Sequence, residues 1–393
     1  MKIILITDDF YPKLGGVAHT LLNLYENIQK TEHTLYIFNP YTKGKNIIKV
    51  INKQYFYFKD LKSFLKKRWF YFFTILSAYK LFRDKQNPIS YRICNFMYLL
   101  TNPKILMRII ENIKKLYPYL RKMDFDLLFS ANSGWIFTLA FILSRMFNKQ
   151  IITLAHGNDF LIRNPLTLKT YYFKSVEKII VSNVLMKKLI KKVHHLNESK
   201  LEIVYRGISL ENSDVKNNKE ILRKEFNIPR EDFVILSVGR HNARKKFDLV
   251  IKAINIIKET KSFINLKYYL IGEGKETPKL KKLTKELKLE NQVEFLGPCD
   301  NNKRNKFYKL SDLFIMPSIS AKNNIEGFGI VFLEANYFKL PVIGTLSGGI
   351  AEAINNGETG LLVKPNDLND LVEKILYLYG DKELRKKNGR KGT

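Results

Sequence analysis

Ile325-Glu326-Gly327-Phe328-Gly329-Ile330-Val331-Phe332-Leu333-Glu334 follows a short apolar run, Leu313-Phe314-Ile315-Met316. The run is the right length for a buried strand, and the segment after Gly329 has the apolar face of a helix. Backbone N–H groups at such a helix start lack partners within the helix and carry the positive end of its dipole, so they bind phosphate. Glu326 stands just before the start and Glu334 lies further along. Carboxylates so placed suit the hydroxyls of a sugar and of a ribose.

Outward from this unit, strand-like and helix-like segments alternate along nearly the whole chain. Short β-rich runs occur at 2–7, 34–38, 126–130, 151–155, 178–182 and 201–205, and again at 233–238, 267–271, 293–296, 313–316, 342–344 and 360–363. Amphipathic helical patterns separate most of them, for example 249–259 and 368–378. Such alternation predicts an α/β protein with parallel sheets covered by helices on both faces. At 393 residues the chain is long enough for two cores, since single cores stop growing near ~250–300 residues. The polar stretch 207–220 is the natural linker. It divides the chain into a first domain over 1–206 and a second over 221–393, expected as two Rossmann-like domains facing across a central cleft.

Composition narrows the class. The chain is 45% hydrophobic and 26% charged, which reads as ordinary globular protein. Cys94 and Cys299 are its two cysteines, far apart and without metal-ligand spacing, which fits a reducing, cytoplasmic compartment. The opening Met1-Lys2-Ile3-Ile4-Leu5-Ile6 is too short for a secretory apolar region and is followed at once by Asp8 and Asp9.

Net charge is +30, unevenly placed: residues 1–200 carry 33 Lys and Arg against 12 Asp and Glu, and residues 201–393 carry 34 against 25. Much of the excess lies in 53–122, part of an insert over about 52–125, where Lys66, Lys67, Arg68 and Arg83 mix with Trp69, Phe70, Tyr71, Phe72 and Phe73. Basic and aromatic residues together suit an anionic membrane surface, where each cation adds about 1 kcal/mol. The expectation is peripheral contact with the inner face of the cell membrane. The apolar run 69–78 is too short for a span that needs ~20 residues. Nucleic acid is the other partner that such charge suggests, but no zinc-ligand spacing, basic zipper or RNP-like motif supports it.

In open α/β sheets ligands gather at the carboxyl ends of strands. After the first strand come Pro12-Lys13-Leu14-Gly15-Gly16-Val17, whose glycines open a helix and leave its amides approachable by a diphosphate. Ala155-His156-Gly157-Asn158-Asp159 ends another strand. Val238-Gly239-Arg240-His241-Asn242-Ala243-Arg244-Lys245-Lys246 brings cations to a third. Ile271-Gly272-Glu273-Gly274, Phe295-Leu296-Gly297-Pro298 and Ser347-Gly348-Gly349-Ile350-Ala351-Glu352 complete the loops.

The 325–334 stretch resembles the E-x7-E signature of the retaining nucleotide-sugar glycosyltransferases of family 4 (glycosyl transferases group 1), which have the GT-B fold. The likeness is strong over about 234–367, clear at 1–25 and 151–185, and absent from about 45 to 125. It implies that Glu326 with Phe328, Gly329, Ile330 and Val331 holds the donor sugar, that Glu334 holds the ribose, and that Gly297 and Pro298 line the base. By the same resemblance Gly15, Gly16, Arg240 and Lys245 hold the diphosphate. His156 orients the donor sugar near its C6 hydroxyl, and Asp159 lies at the donor site beside the acceptor entrance. Arg244 reads as structural. The implied reaction is transfer of a sugar from a UDP- or GDP-linked donor to a hydroxyl of a glycan or lipid-linked saccharide. No cofactor and no metal is expected, since no Asp-x-Asp motif stands in a suitable loop.

Three departures stand out. Lys246 occupies a place where the family usually has glycine, and Arg206 one where it has asparagine. The chain also stops at Arg390-Lys391-Gly392-Thr393, where members usually continue with a helix returning to the first domain. A nucleotide-sugar epimerase of the same fold and a non-catalytic sugar-nucleotide binder are the alternatives. A phosphorylase-like enzyme would need a cofactor lysine, for which no motif is present.

Overall fold

In a computed structural model the chain divides into two compact units, Met1–Arg206 and Gly207–Thr393. The structure describes residues 1–7, 31–39, 47–51, 54–57, 103–131, 134–155, 158–161, 173–205, 207–208, 218–261, 264–320 and 325–391, together with Leu21, Leu24 and Ile28.

Among the described residues the first unit holds one sheet of β1 (Lys2–Ile6), β2 (Thr34–Phe38), β3 (Ile47–Ile51), β4 (Gln54–Tyr57), β5 (Leu127–Ser130), β6 (Gln150–Ala155), β7 (Lys178–Val181) and β8 (Leu201–Ile203). Their order is β4-β3-β2-β1-β5-β6-β7-β8. Six strands run parallel, and Ile4 of β1 sits between Tyr36 of β2 and Leu128 of β5. The sheet departs from the all-parallel expectation at one edge, where β3 pairs antiparallel with both β2 and β4. Only Asn52 and Lys53 separate β3 from β4, far short of the dozen or more residues that a parallel crossover needs.

Two helices show how the first core is built. Trp135–Met146 is almost wholly apolar and buries Phe137, Leu139, Ala140, Phe141 and Leu143. Pro103–Leu120 is amphipathic and lays Ile109, Ile113, Leu116 and Leu120 into the same core, at the i, i+4, i+7, i+11 spacing of one helical face. The last third of the basic segment thus spends its apolar stripe on the core. Trp69 to Phe73 lie outside the described residues. Among the described residues no helix is long and apolar enough to cross a membrane.

The second unit holds β9 (Phe233–Val238), β10 (Leu266–Ile271), β11 (Val293–Gly297), β12 (Leu313–Ile315), β13 (Val342–Thr345) and β14 (Gly360–Val363). All pairs are parallel, in the order β11-β10-β9-β12-β13-β14. β9 is buried at every position, as a central strand covered on both faces must be. Connections run outward one way from β9 and the other way from β12, so their loops diverge at a topological switch point, the usual seat of a ligand in this architecture.

At the opposite, amino-terminal end of the strands the sheet is tied to the helix Lys219–Glu225, which begins inside the stretch expected as linker because the Asn218 side chain accepts from Ile221 N–H. Asp312 accepts from Lys219 Nζ (2.6 Å), Arg223 Nη2 (2.6 Å) and Val234 N–H (2.8 Å). Arg223 also donates to the carbonyls of Leu310, Arg230 and Asp232. One carboxylate thereby joins helix, β9 and β12.

Candidate functional site

The loops after β9 and β12 meet at the switch point. There Glu326 Oε2 accepts from Arg244 Nη1 at 2.6 Å and from Lys245 Nζ at 2.7 Å. The side chains of Glu326 and Lys245 are each 12% exposed, so the cluster is nearly dry. Burial by itself raises the Glu326 carboxyl pKa, but Lys245 and Arg244 outweigh it and hold the group below the usual range. Burial pulls the Lys245 ammonium down, with Glu326 restoring part of the loss and Arg244 adding to it. Arg244, which on sequence alone reads as structural, shares the carboxylate equally with Lys245. Both cations bind Oε2, so neither hydrogen bond uses Oε1.

The Glu326 backbone is fixed as firmly as its side chain. Its N–H donates to Ser320 Oγ and its carbonyl accepts from Gly349 N–H. A Cβ at Gly348, where φ is +63°, would collide with the Glu326 carbonyl, which accounts for the first glycine of the pair after β13.

The strand-end loops of β9, β10 and β11 interlock through main-chain bonds: Gly239 N–H to Ile271, Gly272 N–H to Gly297, His241 N–H to Glu273, and Glu276 N–H to His241. His241 is fully buried, its Nδ1 lies 2.9 Å from Thr277 Oγ1, and its ring stands edge-on to Phe247 and Phe295. Burial holds its pKa below the usual histidine value. An imidazole so depressed contributes stability that is full above the unfolded pKa, about 6.5, and is lost as pH falls through the folded value. The urea midpoint of wild type should therefore drop between pH 8 and pH 5 more steeply than that of His241→Leu. Parallel pH profiles would refute this.

Lys246 has φ +53° and ψ +37°, the left-handed conformation in which a glycine is unstrained. The departure from the resembled pattern thus leaves the loop shape in place and puts strain on the residue. Left-handed backbone costs a non-glycine about 1–2 kcal/mol, against a Gly entropy cost of about 0.5–1. Lys246→Gly should stabilise by about 0.5–1 kcal/mol and raise Tm by roughly 1–4 °C in calorimetry. A lowered Tm would count against it.

The helix Ile330–Tyr337 starts at Gly329, which has φ +84° and gives no side-chain cap, so its first-turn amides are left without one. Phe328 is buried beneath this start, and Ile330 and Val331 are half-buried on its first turn. Glu334 lies on the same helix. Its Oε2 accepts from Tyr308 Oη at 2.8 Å, and its Oε1 is 3.8 Å from Arg304 Nη2. Neither partner stands out in the sequence, because both sit on the polar-looking helix Asn301–Leu310. Gly297 ends β11 and Pro298 follows it, just before that helix.

The other expected residues divide into two groups. Arg240 lies on the Lys245 loop and is exposed. Gly15, Gly16 and His156 fall outside the described residues. Asp159 lies in the short helix Asn158–Leu161 of the first unit. Among the described residues no three His, Cys, Asp or Glu side chains cluster as metal ligands.

Comparison with known proteins bears on the same region, through a family model described as Glycosyl transferases group 1. It matches residues 218–393. The matched stretch includes every residue of the Glu326 and Glu334 clusters. N-acetyl-alpha-D-glucosaminyl L-malate synthase of Bacillus anthracis is 29% identical over 258 residues, 64% of this chain and 65% of the relative. The match thus spans somewhat less than two-thirds of that relative's length. In structure, sucrose-phosphate synthase of Thermosynechococcus elongatus aligns with all of this chain and 93% of its own, at TM-score 0.75 and 19% identity. HepE of Anabaena, solved with UDP-glucose, aligns with all of this chain and 93% of its own at TM-score 0.68 and 16% identity. These likenesses show the fold: two Rossmann-like α/β halves, as in GT-B glycosyltransferase structures.

Proposed function

We propose that the chain is a retaining glycosyltransferase of family 4, moving a sugar from a nucleoside-diphosphate-sugar to an acceptor hydroxyl on a glycan or lipid-linked saccharide. The observation that carries this reading is the Glu326 carboxylate, clamped by Lys245 and Arg244 at the switch point of the group 1 domain, beside a helix start without a side-chain cap. Charge develops on the diphosphate as the glycosidic bond breaks, and Lys245, Arg240 and the first-turn amides are the groups that would stabilise it. Glu326, whose Oε1 takes no part in the hydrogen bonds from Arg244 and Lys245, is assigned to sugar hydroxyls, and Glu334 to the ribose. Gly297 and Pro298 are assigned to the base. Resemblance alone assigns Gly15 and Gly16 to the diphosphate, and His156 and Asp159 to the donor sugar. A glycoside hydrolase would instead need two carboxylates across the bond, one as nucleophile. Relatives named as glycosyltransferases, and HepE with UDP-glucose, favour a nucleotide-sugar donor.

The test is a thermal-shift screen against UDP, GDP, ADP and their sugar conjugates with chelator present, followed by NMR of the product formed with lipid-linked acceptors. One conjugate should raise Tm, as any ligand selective for the folded state does, and the anomeric configuration should be retained. An inverted product, or a donor epimerised with no acceptor, would overturn the reading. A membrane-borne acceptor is favoured by the basic aromatic segment. Changing Trp69, Phe70 and Phe72 to Ser should then abolish liposome binding, and unchanged binding would remove that segment from the reading.

A further inference from the structure

We infer that Tyr308 and Arg304 are positioning residues that give the site its preference for a ribose over a sugar lacking the 2′ and 3′ hydroxyls, by holding the Glu334 carboxylate from behind. The inference rests on the proposed assignment of Glu334 to the ribose and adds the groups that make it selective.

The geometry is two-sided. Tyr308 donates to Oε2 at 2.8 Å, and Arg304 Nη2 stands 3.8 Å from Oε1. Tyr308 is fully buried, stacks on Phe338 with rings 5.7 Å apart and 7° from parallel, and packs against Phe314 at 5.7 Å. A fully buried ring packed against two others cannot swing its hydroxyl away. Burial first, and the Glu334 charge second, keep the phenol protonated far above neutral pH, so it is a permanent donor. Arg304 is 20% exposed at its side chain, and its Nε is buried with no hydrogen-bond partner. That position suits charge balance beside Oε1 better than a fixed hydrogen bond.

A free glutamate on a helix samples several rotamers and must lose that freedom when it binds two hydroxyls. Here one oxygen is already engaged and the rotamer is set before any ligand arrives. Preorganisation of this kind raises affinity without adding a contact to the ligand. Its effect is confined to whatever Glu334 touches, which separates it from a general structural role.

The experiment measures calorimetric Kd for UDP and GDP, and for the 2′,3′-dideoxy form of each, on wild type, Tyr308→Phe and Arg304→Gln. Tyr308→Phe keeps the ring stack and removes only the hydroxyl. Arg304→Gln changes a partly exposed side chain and serves if the first variant folds poorly. Wild type should prefer the ribose form of whichever diphosphate binds. In Tyr308→Phe that form should weaken by roughly tenfold, the worth of a hydrogen bond to a charged group, and in Arg304→Gln by about two- to fivefold, the worth of a partly exposed ion pair, with the dideoxy Kd unchanged in both. Equal weakening of both forms, or no change in either, would overturn the inference and leave the site's assignment standing. Failure of wild type to bind any diphosphate would overturn the assignment and this inference together.

Discussion

Asp312→Ala is expected to destabilise the second unit by about 3–5 kcal/mol, the usual result of removing one partner from a buried charge network. The substitution leaves Lys219 and Arg223 without their counter-charge and strips Val234 N–H of its acceptor. Arg223 is 7% exposed at its side chain and cannot turn to water without pulling the helix Lys219–Glu225 off the sheet. Burial raises the Asp312 carboxyl pKa, but Lys219 and Arg223, with the hydrogen bonds they and Val234 supply, outweigh it and leave it lowered. The carboxylate's contribution is therefore full above the unfolded value of about 3.9 and disappears as pH falls through the lower folded value. Asp312→Asn retains an acceptor for Val234 and isolates the charge. Urea unfolding at pH 7 should show a large loss of midpoint for both variants at unchanged slope, and the gap between wild type and Asp312→Asn should narrow below pH 4. A gap of constant size from pH 7 to pH 3 would mean that the charge is not its source.

The second large effect is on turnover. Lys245→Met should lower kcat by about 10²–10³-fold, the range seen when one preorganised group is removed from a site where charge develops. Lys245 is nearly dry, so its field is little screened by salt or solvent. In the proposed reaction the stabilised charge appears mainly as the bond to the diphosphate breaks, so KM should change far less than kcat. Met keeps most of the apolar stem in place beside Met316 Sδ, 3.1 Å from the Lys245 Nζ it replaces. Steady-state kinetics with the donor found in the thermal screen provides the measurement. An unaltered kcat with a raised KM would restrict Lys245 to uniform binding of the donor and remove it from the chemical step.

The strands were legible because a parallel sheet buried on both faces writes itself as continuous apolar runs. Phe233–Val238, closed by Gly239, and the run 342–344 read as strands on that pattern. The hairpin of β3 and β4 was not legible, because Asn52-Lys53 replaces the Asn-Gly type of signal that announces a two-residue turn. Glu326 and Glu334 could be singled out because their spacing brackets a helix start. Arg244 could not be told from Lys245 and Lys246, since three adjacent cations differ only in where the loop aims them. Tyr308 escaped notice for another reason. It precedes Glu334 by one whole crossover, and nothing local shows that the Asn301–Leu310 helix returns to the helix bearing that carboxylate.

The interlocked loops after β9, β10 and β11 have a consequence for engineering. Their mutual bonds run from backbone to backbone, so the frame does not depend on which side chains Arg240, Glu273 or Pro298 carry. Saturation libraries at those three positions can be built without redesigning the scaffold, and their losses will report on ligands more than on folding. Gly272 and Gly274 must stay out of such libraries, because any side chain there would strike the Gly239 or His241 carbonyl and force the frame apart. Side chain and framework are thus separable here, one residue at a time.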